Sequence, residues 1–323
     1  MDIQRIEAAA NRLKGHARVT PLLSSPFLDD IAGKRVLVKA ECLQHTGSFK
    51  YRGARSAVSA LSDEQRKNGV IAYSSGNHAQ GVALAARQYG ASAVIIMPAD
   101  APTMKIENTR ALGAEVVLYD RATEDRDVIG SKLSDERGLT LIRPYDEPEV
   151  IAGQGTCGLE IAAQAAELGV TDADVIVCCG GGGLTAATAV VIAEVSPRTQ
   201  VYAAEPTLFD DTCRSLAAGD RLANPVGQRT ICDAIMTPTP NEVTFPINLD
   251  LLAGGVTASD ADVREAVRFA FEHFKIMTEP GAVVGLAAVL NGQVAIKNKT
   301  MATVITVGNI DVARFAALTG DVE

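Results

Sequence analysis

The stretch DVIVCCGGGGLTAATAVVIAEV, residues 174–195, joins an apolar run to an alanine-rich run through four consecutive glycines. The first run is rich in β-branched residues and predicts a buried strand, whereas the second predicts a helix. The glycines between them are Gly180, Gly181, Gly182 and Gly183. Their backbone N–H groups can converge on an anion at the positive end of the helix dipole. The stretch therefore predicts a phosphate-binding turn in an α/β protein.

The alternation of strands and helices continues on both sides of this turn. Between residues 69 and 144, short runs such as VIAYS and AVIIMP alternate with helical stretches, and the alternation resumes after residue 144 as far as the strand in TVITVGN. This order is typical of parallel sheets with helical crossovers. We expect a small domain at 69–146, inserted into a large domain made of 1–68 and 147–323, with the functional site in the cleft between them.

The composition predicts a globular protein that acts on a small molecule. Of the 323 residues, 47% are hydrophobic and 21% are charged, and the formal net charge is −9. This charge, with no block of Lys and Arg in the sequence, argues against nucleic-acid partners and anionic membrane surfaces. No apolar run reaches the roughly 18 residues that a membrane span needs, and the N-terminus lacks a signal-peptide core. We therefore expect a cytoplasmic protein with no membrane partner.

Two further stretches carry reactive side chains. In TGSFKYRGA, residues 46–54, Ser48 is predicted to cap a helix whose first turn holds Lys50 near the positive end of the dipole. That position disfavours the ammonium form, which suits a lysine that reacts as a free amine with an aldehyde; the alternative is a solvated surface lysine. The second stretch, SSGNHAQG at 74–81, follows the strand VIAYS and lies at the carboxyl edge of the predicted sheet, where ligands bind.

Taken together, TGSFKYRG, SSGNHAQG, CGGGGL and TVGN resemble, in order and spacing, the motifs of the serine racemase and threonine dehydratase family of pyridoxal 5′-phosphate enzymes. The resemblance covers nearly the whole chain, including IAGQGT at 151–156 and EPGAVVGLAA at 279–288. It implies the two-domain tryptophan-synthase-β-like fold, fold type II, with parallel-rich sheets flanked by helices and pyridoxal 5′-phosphate (PLP) in the interdomain cleft. It also suggests a homodimer.

The resemblance assigns contacts with the cofactor to individual residues. It makes Lys50 the residue that bonds covalently to PLP. It gives contacts with the ring to Phe49, the 3′-oxygen to Asn77, and the pyridine nitrogen to the hydroxyl of Thr306, where many relatives have serine. The phosphate belongs to the four glycines. A neutral hydroxyl protonates the ring less fully than an aspartate would, which favours elimination of a β-leaving group over transamination.

The predicted reaction is loss of water and then ammonia from a small β-hydroxy amino acid. Lys50 or Ser75, on opposite faces of the cofactor, would remove the α-proton, and the backbone amides of the turn at 74–77 would hold the substrate carboxylate. The residues predicted to contact the substrate are Ser74, Ser75, Gly76, Asn77, His78 and Arg126.

The choice of substrate depends on Arg126. Its stretch, TEDRDVIGSKL, resembles the segment of serine racemases whose arginine can reach a dicarboxylate, and threonine deaminases generally lack that arginine. With His78, Arg126 could bind a second carboxylate, which favours 3-hydroxyaspartate. If Arg126 instead pairs with a neighbouring aspartate at the surface, serine or threonine becomes the better candidate. Racemisation of an amino acid, β-replacement and a catalytically inactive ligand sensor are the remaining alternatives.

A metal site is predicted in AAEPTLFDDTCRS, residues 203–215. Glu205, Asp211 and the main-chain carbonyl of Phe209 offer oxygen ligands that suit Mg²⁺, Ca²⁺ or Mn²⁺. The stretch resembles the divalent-cation loop of serine racemases. The alternative is a solvated acidic turn.

Overall fold

The computed structural model describes residues 1–74, 76–292, 294, 298 and 300–320. The described strands form two sheets. The strands are β1 (Leu22–Ser24), β2 (Arg35–Ala40), β3 (Val70–Tyr73), β4 (Ala93–Pro98), β5 (Glu115–Tyr119), β6 (Thr140–Leu141), β7 (Ala173–Cys178), β8 (Val201–Pro206), β9 (Gly254–Ala258) and β10 (Thr300–Ile305).

Helices connect these strands and flank the sheets. The helices are α1 (Ile3–Leu13), α2 (Pro26–Ala32), α3 (Lys50–Ala60), α4 (Asp63–Asn68), α5 (Asn77–Gln88), α6 (Thr103–Ala111), α7 (Arg126–Arg137), α8 (Pro148–Glu167), α9 (Gly183–Val195), α10 (Asp211–Ala218), α11 (Phe245–Leu251), α12 (Asp260–Phe269), α13 (Val284–Leu290) and α14 (Val312–Thr319). Within the described part of the chain, none of the helices has both the length and the apolar character needed to cross a membrane.

The larger sheet has the strand order β1-β2-β10-β7-β8-β9. All its neighbouring strands are parallel except β1 and β2, which pair antiparallel. Strand β10 lies between β2 and β7, so the first and last parts of the chain share one sheet. Strand β7 ends just before the four glycines and β10 ends just before Thr306. Because parallel strands end at the same edge, the sheet brings these two segments together.

The smaller sheet is wholly parallel and has the strand order β5-β4-β3-β6. Its strands come from residues 70–141, within the segment predicted as the small domain; the domain boundaries themselves stay predictions. Helix α3 packs against α5 beside this sheet and against α8 beside the larger one. Lys50 begins α3 and therefore lies where elements of the two sheets meet.

Helix α8 begins at Pro148, well before the stretch GLEIAAQAAELG in which the sequence pattern places a helix. Proline is favourable at the first helical position, and the glycines that follow allow close packing. A Cβ atom at Gly153 would overlap the main chain of α3, and one at Gly155 would lie 2.9 Å from the Ile6 side chain. The glycines of this stretch are thus contact points inside a helix.

Candidate active site

A cavity of about 630 Å³ lies at the carboxyl ends of β3, β7 and β10. The predicted cofactor and substrate residues that the structure describes all line it: Phe49, Lys50, Ser74, Gly76, Asn77, His78, Arg126, Gly180, Gly181, Gly182, Gly183 and Thr306. Ser75, the second predicted proton-transfer residue, lies outside the described residues. The structure therefore brings distant motifs into one site, while the role of each residue stays a prediction.

Lys50 is partly buried in the wall of this cavity. Its Nζ donates a hydrogen bond to the main-chain oxygen of Pro144 at 2.9 Å and lies 5.1 Å from the centre of the Phe49 ring. Loss of hydration lowers the pKa of Lys50 to about 8, although the carboxylates of Asp146 and Glu279 oppose this shift. Roughly one side chain in ten is therefore a neutral amine at pH 7, and about half are neutral at pH 8. Desolvation, rather than the predicted helix dipole, is the main cause.

The segment before Lys50 differs from the sequence prediction at its cap. Phe49, not Ser48, occupies the N-cap position of α3. The Ser48 hydroxyl still accepts the N–H of Lys50 at 3.2 Å, so it contributes the expected type of contact from one residue earlier. The N–H of Phe49 donates to the carbonyl oxygen of Thr306 at 3.1 Å, which joins two predicted cofactor segments directly.

The glycine turn, residues 180–183, lines the cavity with main-chain atoms. Gly182 has a left-handed φ of 79°, and a Cβ atom at Gly181 would overlap the ring of Tyr145. Helix α9 starts at Gly183, and its first intrahelical hydrogen bond runs from Ala186 N–H to Gly182 O at 2.8 Å. The N–H groups of the residues before Ala186 in this turn therefore have no intrahelical partner. Free amides at the positive end of a helix fit a phosphate group.

Asn77 is held by two residues that the sequence analysis did not single out. Its Nδ2 donates to Glu279 Oε1 at 3.0 Å, and its Oδ1 accepts from Asn309 Nδ2 at 2.9 Å. Burial raises the pKa of Glu279 to about 7, against the opposing effect of Lys105, whose Nζ lies 3.9 Å from Glu279 Oε2. Glu279 lies in EPGAVVG and Asn309 in TVGN. In the sequence, each is marked only by being a polar residue next to an apolar segment that contains glycine.

His78 is in a state that does not suit its predicted role. Its side chain is buried, and Nε2 lies 2.9 Å from the carbonyl oxygen of Ile142, an acceptor that requires a proton on Nε2. Burial and the nearby Lys50 lower the pKa of His78 to about 3, so the ring is neutral and Nδ1 carries a lone pair. Such a ring accepts hydrogen bonds and cannot neutralise a carboxylate. The structure argues against His78 as the partner of Arg126 in binding a second carboxylate.

Arg126 opens α7 and lines the cavity, with 54% of its side chain exposed. Its Nε is 3.9 Å from the nearest oxygen of Asp127, which is beyond hydrogen-bonding distance. Arg143, which the sequence analysis missed, also lines the cavity, and its Nε is 4.0 Å from Asp146. Its only signal was its place after the strand in TLIRP, at the same carboxyl edge as the other site residues. The cavity therefore presents two guanidinium groups.

The predicted metal ligands lie outside the lining of this cavity, at the end of β8 and the start of α10. Burial and the neighbouring Asp211 raise the pKa of Glu205 to about 8, and burial raises that of Asp211 to about 6. Glu205 accepts the backbone N–H groups of Thr212 and Cys213 at 3.1 and 2.7 Å. Among the described residues, no group of three or more His, Cys, Asp or Glu side chains could hold a metal; the predicted set relies on the Phe209 carbonyl as its third ligand. Two close, buried carboxylates nevertheless fit a hard cation in chemical type.

Comparison with known proteins now adds to this geometry. Residues 13–307 match the family described as pyridoxal-phosphate dependent enzyme. The chain belongs to this family. A relative from Pseudomonas sp., L-threo-3-hydroxyaspartate ammonia-lyase, is 43% identical over 310 residues, which are 96% of this chain and 96% of the relative.

Two solved structures resemble this pyridoxal-phosphate dependent enzyme closely. A threonine deaminase from T.th. has 44% identity and a TM-score of 0.90, over 96% of this chain and 99% of its own. Maize serine racemase has 34% identity and a TM-score of 0.92, over 98% and 96%. The predicted fold class and the predicted PLP cofactor are confirmed.

Proposed function

We propose that this enzyme is an ammonia-lyase that eliminates water from 3-hydroxyaspartate, after which the released enamine takes up water again to give oxaloacetate and ammonia. One observation carries the proposal: Arg126 lines the same cavity as Lys50. A guanidinium beside the reactive amine can pair with the second carboxylate of the substrate, and such a charge-assisted contact is strong. Arg143, in place of His78, supplies the second guanidinium group that lines the same cavity. The hydroxyaspartate activity named for the Pseudomonas relative supports this substrate.

The residues of the cavity divide the work of binding the cofactor. We assign the covalent bond to Lys50, contact with the ring to Phe49, the 3′-oxygen to Asn77 and the pyridine nitrogen to the Thr306 hydroxyl. The phosphate is assigned to the turn formed by Gly180, Gly181, Gly182 and Gly183. When bound, PLP withdraws electrons from the substrate α-carbon and thereby makes its proton removable.

The start of α5 supplies the site for the α-carboxylate of the substrate. The first intrahelical bond of this helix runs from Gln80 N–H to Gly76 O at 3.2 Å, so the N–H groups of residues 77–79 have no intrahelical partner. The Gly76 N–H already donates to Ser74 Oγ at 3.2 Å, which shapes the turn. With the carboxylate held there, Lys50 removes the α-proton from one face, and we retain Ser75 as the residue for the other face.

Threonine is the second candidate substrate, because the relative from T.th. is a threonine deaminase at 44% identity. The test is formation of 2-oxo acid from L-serine, L-threonine and each stereoisomer of 3-hydroxyaspartate, with and without Mg²⁺. We expect the highest kcat/KM with a hydroxyaspartate isomer. A higher value with threonine would overturn the substrate assignment. Recovery of D-serine from L-serine in excess over the 2-oxo acid would favour racemisation.

Two arginine variants distinguish a direct contact between Arg126 and the substrate from a general effect of removing one positive charge. Arg126→Ala should lower kcat/KM for hydroxyaspartate by roughly 10- to 100-fold, the range for one lost charge-assisted hydrogen bond, and change serine turnover little. Arg121→Ala is the matched control, because the Arg121 side chain is 53% exposed, pairs with Asp100 and does not line the cavity. Equal losses for serine and hydroxyaspartate in Arg126→Ala would contradict the assigned contact.

We also propose a divalent-cation site at Glu205, Asp211 and the Phe209 carbonyl, and a cytoplasmic homodimer. Burial makes the charged forms of the two carboxylates unfavourable, as their raised pKa values indicate, and a bound cation would offset this cost. Sedimentation equilibrium tests the homodimer, and a mass of one chain at all concentrations would exclude it.

A further inference from the structure

Asn309 links three segments of the candidate site. Its Nδ2 donates to the carbonyl oxygen of Thr46 at 2.8 Å and to Asn77 Oδ1 at 2.9 Å. Thr46 belongs to the loop that leads into Lys50, and it has a left-handed φ of 57°, which is uncommon for a residue with a branched side chain. The same loop is tied to the segment of Asn309 again, because Gly308 N–H donates to Gly47 O at 2.9 Å.

These bonds fix the orientation of two side-chain amides. The Thr46 carbonyl can only accept, so the end of Asn309 that faces it must be the NH₂ group. That same NH₂ group lies against Asn77, and Asn77 must therefore present its oxygen to it. The NH₂ group of Asn77 is left to face the other way, where one of its hydrogens meets Glu279. If the Asn77 amide were turned by half a rotation, its NH₂ group would face the NH₂ group of Asn309, and its oxygen would face the carboxyl oxygen of Glu279.

Glu279 completes the arrangement from the opposite side. Its side chain is 7% exposed and lines the cavity, and it accepts from Asn77 at 3.0 Å. The NH₂ group of Asn77 has two hydrogens, so one remains for another acceptor after the bond to Glu279 is made. The proposed reaction gives Glu279 no role in binding the substrate or in moving its protons, although Glu279 is one of the two carboxylates that act on Lys50.

We infer that Asn309 and Glu279 are positioning residues that hold the Asn77 amide with its NH₂ group toward the cofactor, so that Asn77 donates to the 3′-oxygen of PLP. This rests on the contact with the 3′-oxygen assigned to Asn77 in the proposed function. Loss of either positioning residue lets the amide turn. Its oxygen would then face the oxygen of the cofactor, which weakens PLP binding and changes the electronic state of the ring.

The experiment compares Asn309→Asp, Asn309→Ala, Glu279→Ala and Glu279→Gln with the wild-type enzyme. PLP is removed and titrated back while the visible absorbance of the bound cofactor and its Kd are recorded, and the melting temperature of each PLP-free protein is measured. Asn108→Asp, at an exposed position of α6, is the control for the same chemical change away from the site.

We expect Asn309→Asp, Asn309→Ala and Glu279→Ala to raise the Kd for PLP about tenfold, the scale of a lost buried hydrogen bond, and to shift the absorbance maximum. Glu279→Gln keeps an oxygen that accepts from Asn77, so it should retain the wild-type spectrum. If Asn309→Asp does not fold, the remaining variants make the same test.

A different pattern would overturn the inference. A purely structural role predicts lower melting temperatures in the PLP-free variants with an unchanged absorbance maximum and a Kd within about twofold of wild type. A spectral shift as large in Glu279→Gln as in Glu279→Ala would also contradict it. These results are independent of the reaction: a wild-type enzyme that binds PLP but fails to convert hydroxyaspartate would refute the proposed function and leave the spectral test intact.

Discussion

The Nζ atom of Lys50 and the carbonyl oxygen of Pro144 are joined by a 2.9 Å hydrogen bond, although 94 positions separate them in the sequence. The same oxygen also accepts from Gln154 Nε2 at 3.2 Å. A carbonyl needs only one hydrogen of the amine. A neutral Lys50 would therefore keep its lone pair available for an aldehyde while being held in place, which is the arrangement that covalent attachment of PLP requires.

The lowered pKa of Lys50 predicts how attachment of PLP depends on pH. Only the neutral amine reacts, so the rate at which PLP-free enzyme takes up the cofactor should rise with pH, with a midpoint near the pKa of about 8. Stopped-flow measurement of visible absorbance would give this midpoint. Asp146→Asn removes a carboxylate that raises the pKa, so its midpoint should lie lower. A midpoint at the ordinary lysine value of 10.5 would show that Lys50 is not desolvated, and Lys50→Ala should give no covalent uptake.

The glycine turn predicts an order of effects among alanine substitutions. A Cβ atom at Gly181 would overlap the Tyr145 ring, whereas one at Gly180 would lie 3.2 Å from Ile235. Gly181→Ala should therefore weaken PLP binding by roughly tenfold or more, and Gly180→Ala by less. Titration with PLP followed by absorbance measures both. If the overlap is the cause, adding Tyr145→Ala to Gly181→Ala should recover part of the affinity; no recovery would point to the backbone instead.

Strands, helices and the segments of the site could be predicted from the sequence wherever local pattern and sheet topology agree. The run AVIIMP became β4, Ala93–Pro98, and the helix expected after the glycines began at Gly183, because apolar runs bounded by turn residues leave little choice. The family resemblance implied the grouping of Lys50, the glycines and Thr306, and the structure accounts for the glycines and Thr306 because they follow the ends of the parallel strands β7 and β10. Motif order was therefore enough to predict which segments line the cavity.

Contacts that depend on burial or on distant partners were not predictable in this way. Glu279 and Asn77 are 202 positions apart, and neither local composition nor periodicity indicates that their side chains meet. The neutral state of His78 depends on burial and on Lys50, which only the folded chain supplies. The early start of α8 was missed because glycine disfavours helices in isolation, while here it permits contact with α3.

The proposed cation site predicts a stabilising effect of Mg²⁺ that one side chain controls. A cation at 100 times its Kd stabilises the folded state by about 2.7 kcal/mol. Differential scanning fluorimetry with EDTA and with Mg²⁺ should show a higher melting temperature with the metal, and Glu205→Gln should abolish the difference. Glu194→Gln, on the exposed side of α9, is a control that should preserve it. Identical melting of the wild-type protein under both conditions would remove the cation site.

Replacing Arg52, which lies two residues after Lys50, is expected to lower the stability of the folded protein rather than to alter the chemistry of the site. Its side chain is buried, and its nitrogens lie 2.7 Å from oxygens of both Glu41 and Glu160. Arg52→Met would remove the ion-pair partner of the buried Glu41, so the free energy of unfolding should fall by about 3–5 kcal/mol. Urea denaturation at neutral pH measures this. Glu41→Gln combined with Arg52→Met removes the unpaired charge and should recover part of the loss.

The pH dependence of the same variant gives an independent check. Burial alone would raise the pKa of Glu41, but Arg52, together with Lys39 and a hydrogen bond from Thr20, holds this pKa below the ordinary value of 4.5. A lowered carboxyl pKa gives stability that is present above 4.5 and is lost as the pH falls through the folded-state value. Without Arg52, burial dominates and raises this pKa. Stability of Arg52→Met should then decrease as the pH rises above 4.5, whereas in the wild type this pair gives no such decrease. An unchanged pH profile would mean that Glu41 is neutralised by another group, of which Lys39, a second cation acting on Glu41, is the candidate.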